Sequence, residues 1–182
     1  MNSSRHTDSK DRQEQPGRGS GLLMIAIAWL LILLVVGIWF QQWLEQRRNP
    51  NNNVNSSFSE HQKPQVILRA NRQHQYRATG LINDEKVVFL IDTGATEVVV
   101  PANLEKKLGL RRGVSTQAMT ANNLVTVYRT SIDHLKIGTL HLTNVAAVIN
   151  PSMPDQTILL GMSALHQTEL RHDNNQLTII QR

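Results

Sequence analysis

The stretch Val87–Pro101, VVFLIDTGATEVVVP, decides how this chain is read. An apolar run leads into one acid, three small residues follow, and the chain turns apolar again. Short apolar, β-branched runs bounded by small turn-forming residues read as buried strands, which puts the Asp92 carboxylate in the middle of buried strand. An unpaired carboxylate there is costly, so it either holds a proton or finds donors. Thr93 offers a hydroxyl, and Gly94 lets the backbone turn sharply and bring amide N–H groups near the acid. Asp-x-Gly heading a turn is a common structural use of these residues. A carboxylate framed by apolar strands is also the kind of place where pKa values move and chemistry is done.

Outward from this stretch, short runs recur between turn signals. QVILRA (65–70) and QYRATGLI (75–82) come before it, with the turn NDEK (83–86) between the second and the quoted stretch. PANLEKKL (101–108) has proline first, Leu104 and Leu108 four apart and Gly109 just beyond, the marks of a short helix. VSTQAMT (114–120), LVTVYRT (124–130), IDHLKIG (132–138), LHLTNVAAVI (140–149) and QLTII (176–180) are β-branched or alternating. TILLGMSALHQTEL (157–170) reads as a strand running into a glycine and a second short helix. The pattern predicts an all-β fold, a compact barrel or sandwich with one or two short helices.

This unit, residues 64–182, follows three others. Residues 1–20 are polar and aperiodic and read as a disordered tail. Residues 21–40, GLLMIAIAWLLILLVVGIWF, carry no charge, and the 20-residue run matches the ~30 Å core of a bilayer. No A-x-A-like cleavage site follows, Trp39 and Trp43 fall where an interfacial belt is expected, and Arg47 and Arg48 lie beyond. Residues 21–43 therefore read as a transmembrane signal anchor. Arg5, Lys10, Arg12 and Arg18 favour the N-terminus inside, which places everything after residue 43 outside the cytoplasm, on the periplasmic side of a bacterial inner membrane. Residues 44–63 are rich in Asn and Ser and read as a flexible linker.

From Pro64 onward, 12 Lys and Arg stand against 9 Asp and Glu without clustering, so no nucleic-acid face is expected. The chain has no cysteine, which excludes disulfides and thiolate chemistry. His134 and His141, and His166 and His172, lack any usual zinc spacing, so no metal and no cofactor are expected. Ser131 and Ser163 lack the G-x-S-x-G setting of a nucleophile.

FLIDTGAT (89–96) resembles the active-site signature of retropepsin-like aspartic proteases, and TILLGMSAL (157–165) resembles their second apolar-apolar-glycine element, here Leu159, Leu160 and Gly161. The likeness covers roughly Gln65 to Ile180 and extends to the family's bacterial single-pass membrane subgroup. It implies a retropepsin-like barrel with a flap hairpin, in which Asp92 is the catalytic acid and base. Thr93 would hold the partner's loop across a subunit interface, and Gly94 would supply backbone donors. AMTANNLVTV (118–127) sits where the flap is expected, with Thr120, Ala121, Asn122 and Asn123 at its tip. Asn123 stands where relatives commonly have glycine, and asparagine is the next best residue for such a turn.

Aspartic proteolysis needs two carboxylates sharing a proton. Asp84, Asp133, Asp155 and Asp173 lack a following Thr-Gly or Ser-Gly, and the unit is too short for two lobes. The expected solution is a homodimer with Asp92 of each subunit meeting on the two-fold axis, acting on a polypeptide substrate. The alternative is an idle, membrane-tethered dimer that binds peptides by strand addition.

Overall fold

The structure is a computed structural model and describes residues 18–59, 62–120 and 123–182. It divides into two units, residues 1–42 and 43–182.

Helix α1 runs Arg18–Arg48. Its portion Leu23–Arg48, 26 residues, is long and apolar enough to cross a membrane, for which ~20 suffice. Its large apolar side chains from Leu23 to Phe40 are exposed and not packed into a protein core.

The second unit is built from β1 (Asn55–Phe58), β2 (Pro64–Arg69), β3 (Arg77–Ile82), β4 (Glu85–Ile91), β5 (Val98–Pro101), β6 (Ser115–Met119), β7 (Leu124–Ile137), β8 (Leu140–Asn150), β9 (Thr157–Leu160), helix α2 (Met162–Leu165), β10 (Thr168–Asp173) and β11 (Gln176–Gln181). One sheet has the order β1-β2-β11-β10. The other runs β3-β4-β9-β5-β8-β7-β6, and a further β3–β7 pairing closes it into a barrel. Closure needs a close approach: a Cβ at Gly80 would stand 2.8 Å from the Phe89 ring and against the Lys136 carbonyl. The core is the apolar lining of this barrel, with Phe89, Ile132, Leu135, Ile149, Ile158 and Leu160 almost fully buried.

Two parallel pairings fix the centre. β4 lies beside β9, with Ile91 opposite Leu160, and β5 lies beside β8. The two apolar runs found in the sequence thus end side by side, and the loop between β4 and β5 leaves from that point.

The structure departs from the sequence reading in three places. The helix expected over 101–108 is a single 3-10 turn, Ala102–Leu104, continued by turns that still bury Leu104 and Leu108. The linker expected over 44–63 is partly built into the barrel unit. Asn51 is buried there, its Nδ2 donating to Arg69 O at 2.9 Å and Arg77 O at 2.6 Å while its Oδ1 accepts from Arg69 N at 2.8 Å. β1 then pairs along β2. Finally, Asp92 is not in mid-strand: β4 ends at Ile91, and β5 begins at Val98.

Candidate active site

Asp92 opens the loop 92–97. Its backbone N–H donates to Leu160 O at 3.1 Å, the last rung of the β4–β9 ladder, and its Oδ1 accepts from Gly94 N at 2.9 Å. That closed turn meets the need for donors seen in the sequence with one backbone amide. The carboxylate is half-buried, and Thr93 beside it is exposed, with no hydrogen-bond partner for its hydroxyl among the described residues. The dry enclosure expected of a mid-strand acid is therefore absent from the single chain, because the turn lifts Asp92 out of the sheet.

The far side of the loop rests on the start of α2. Met162 N donates to Ala95 O at 2.8 Å, and Ser163 N donates to Thr96 O at 2.9 Å. The Ser163 hydroxyl accepts from Val98 N at 3.0 Å and donates to Ala146 O at 2.6 Å, joining the loop's end to β8. Gly161 packs directly beneath the loop. Ser163, considered in the sequence only as a nucleophile, is thus a clamp that sequence reasoning misses. Only its place two residues after Gly161 hints at the role.

Asp92, Gly94, Ala95, Thr96 and Glu97 line one wall of a cleft of about 830 Å3. The floor and far wall include Val99, Val127, Val148, Met153 and Leu159, and the β6–β7 hairpin contributes Thr116 to Thr120. The structure thus brings Asp92, Gly94, Leu159 and Thr120 to one cavity, whereas Leu160 and Gly161 lie behind it as support. The hairpin ladder ends with Met119 opposite Leu124. Beyond it, Thr120 N and Oγ1 both donate to Asn123 O, at 2.9 and 2.7 Å. Ala121 and Asn122 lie outside the described residues.

His134 and His141 come together, ring centroids 5.6 Å apart, but among the described residues no three His, Cys, Asp or Glu converge as a metal site would require.

Known proteins resemble this chain in sequence and in fold. Residues 78–167 match the family described as "gag-polyprotein putative aspartyl protease". A Sinorhizobium protein known as the uncharacterized protein in the cobV 5′ region is 25% identical over 163 residues, covering 84% of this chain and 70% of its own. Among solved structures, a retropepsin-like aspartic protease from Rickettsia conorii superposes with a TM-score of 0.55 at 21% identity, over 71% of this chain and 94% of that one. The EIAV protease in complex with the inhibitor HBY-793 gives 0.41 at 23% identity, over 50% and 86%. A family model of aspartyl proteases thus covers the segment that holds both Asp92 and Gly161, and the β domain has the retropepsin-like fold.

Proposed function

We propose that the protein is a membrane-anchored aspartic endopeptidase whose active form is a homodimer. The observation that carries the reading is the open setting of Asp92: a half-buried carboxylate at the edge of an apolar-floored cleft, beside an exposed Thr93 hydroxyl. An acid and a free hydroxyl presented together suit contact with their own copies across a two-fold axis. Pairing would supply the second carboxylate and remove the water that the single chain leaves in reach.

In such a dimer the two Asp92 carboxylates share one proton, because close like charges resist joint ionisation. The ionised member takes a proton from a water, whose oxygen attacks the peptide carbonyl carbon. The protonated member hydrogen-bonds the developing oxyanion, and a proton then passes to the leaving amine as the C–N bond breaks. Gly94 N holds one carboxylate oxygen in place throughout. The β6–β7 hairpin closes over an extended peptide, with Val99, Val148 and Leu159 offering apolar surface to its side chains. Helix α1 anchors the chain in a bacterial inner membrane with the protease domain on the periplasmic side, and sharing a membrane raises the effective concentration of the subunits.

The test is cleavage of a peptide library by the full chain in detergent, from acid to neutral pH, beside Asp92→Asn. Asparagine retains the oxygen that accepts from Gly94 N, so the fold should survive while cleavage disappears. Cleavage that persists in the variant overturns the proposal. If neither protein cleaves, yet peptides bind equally to both, the domain is a peptide-binding module.

A further inference from the structure

Apart from the catalytic cleft, the barrel unit has a second cavity, about 410 Å3, where residues 45–52 lie against β3 and β4. Three cations, Arg48, Arg77 and Lys86, stand in its wall against a single carboxylate, Glu45. None of the three takes part in any ion pair found among the described residues. The Arg77 Nε is also the one buried side-chain nitrogen or oxygen among the described residues without a hydrogen-bond partner. A buried guanidinium N–H without an acceptor is unfavourable, and the guanidinium fork matches the geometry of a phosphate. The polar wall around it is already ordered: Asn49 Nδ2 donates to Thr79 Oγ1 at 2.9 Å, and that hydroxyl donates to Asn52 Oδ1 at 2.9 Å.

The position in the chain adds a second reason. Glu45 and Arg48 belong to the last turn of the apolar helix segment Leu23–Arg48. If that segment spans a bilayer, as proposed above, its last turn lies at the depth of lipid headgroups, where basic residues meet anionic phosphates.

We propose that this cavity binds a phosphate group through Arg77, Lys86 and Arg48, supplied by an anionic phospholipid headgroup or by free phosphate. The lipid source rests on the membrane reading of α1, and the phosphate site itself does not. Neither depends on proteolysis.

The experiment uses the full chain in detergent. Phosphatidylglycerol is titrated and followed by native mass spectrometry, and inorganic phosphate is titrated and followed by thermal unfolding. Arg77→Gln and Lys86→Gln should each weaken binding about fivefold, the scale expected for one well-placed charge. Arg47→Gln is the control: it removes a charge one residue from Arg48 that does not line the cavity but lies over the Trp43 ring at 3.5 Å. It should change binding by no more than about twofold, as exposed charges do. A cavity-dependent response to inorganic phosphate assigns the site to phosphate itself, and one to phosphatidylglycerol alone assigns it to a headgroup. The proposal is overturned if Arg77→Gln and Lys86→Gln leave both titrations unchanged. It is equally overturned if Arg47→Gln weakens binding as much as they do, which would mean general attraction to a basic surface. Lys86 is exposed, so its variant keeps the test valid even if Arg77→Gln folds poorly.

Discussion

Gly161 lies so close under the 92–97 loop that a Cβ added to it would stand 2.6 Å from the Glu97 carbonyl carbon and 2.7 Å from Ala95 O. Its φ of −87° is open to any residue, so glycine is required here by space and not by backbone conformation. The atoms in the way are main chain, which cannot swing aside. Gly161→Ala should therefore cost about 3 kcal/mol and push the loop that holds Asp92 out of position. A thermal melt and a cleavage assay check this together, and a variant with unchanged Tm would show that the loop is not seated on Gly161.

Ser163 acts on the same loop from its other end. Ser163→Ala removes the donor to Ala146 O and leaves the part-buried Val98 N without this acceptor, at a cost of about 1–3 kcal/mol. Because the serine touches the loop and not the cleft, the loss should fall on kcat more than on KM. Ser163→Thr keeps the hydroxyl and should recover most of the activity. An equal loss in both variants would mean that size, not hydrogen bonding, matters at this position.

These contacts mark the limit of what the sequence discloses. Val87–Ile91 and Thr157–Leu160 are legible as strands because their apolar runs are unbroken, and Asp92 stands out because a charge ends the first. That the two runs lie side by side in parallel register is a long-range fact with no local signal beyond the glycine that follows the second. Ser163 is invisible for the same reason, since its partners are Val98 and Ala146. The sequence puts Asp92 in mid-strand because periodicity cannot say where a strand ends when apolar residues continue on both sides of a turn.

Asn51 shows the opposite failure. In the run NPNNNVNSS an asparagine looks solvated, yet this one is buried and serves three backbone groups of β2 and β3. Asn51→Ala leaves those groups unpaired and should destabilise the barrel by about 2–4 kcal/mol. A fragment starting at Pro64 loses Asn51 and β1 together, so it should melt below one starting at Asn49. Equal Tm values for the two fragments would return residues 49–58 to the status of a passive tether.

An exposed pair gives a prediction about pH. The hydrogen bond from Lys136 Nζ to Asp84 Oδ1, 2.9 Å long, together with the Lys136 charge and the more distant His134 and His141, holds the Asp84 carboxyl below its ordinary range. A carboxylate whose pKa falls on folding adds stability that is present above the unfolded value, about 3.9, and lost as pH drops through the folded one. Lys136→Gln should therefore lower Tm slightly at neutral pH, and the gap to the parent protein should close in strong acid. Salt should shrink the gap as well, because the pair is exposed. A gap that widens on acidification would assign the effect to some other group.

The β6–β7 hairpin, proposed above to close over substrate, offers the sharpest separation of stability from function. Met119 lines the cleft yet is 84% exposed, and Leu124, its partner across the hairpin, is 61% exposed. Truncating an exposed side chain changes stability by only about 0.5 kcal/mol. Closure over a peptide would bury Met119 at the side of the substrate, and burying such a side chain is worth about 1.5–3 kcal/mol. Met119→Ala should thus leave Tm nearly unchanged and raise KM roughly tenfold, since deleting apolar surface that packs only against bound peptide weakens binding. Leu124 does not line the cleft, so Leu124→Ala should raise KM less. A fall in Tm without a rise in KM would make Met119 part of the folded scaffold. An unchanged KM with unchanged Tm would mean that the hairpin does not close on the substrate through this residue.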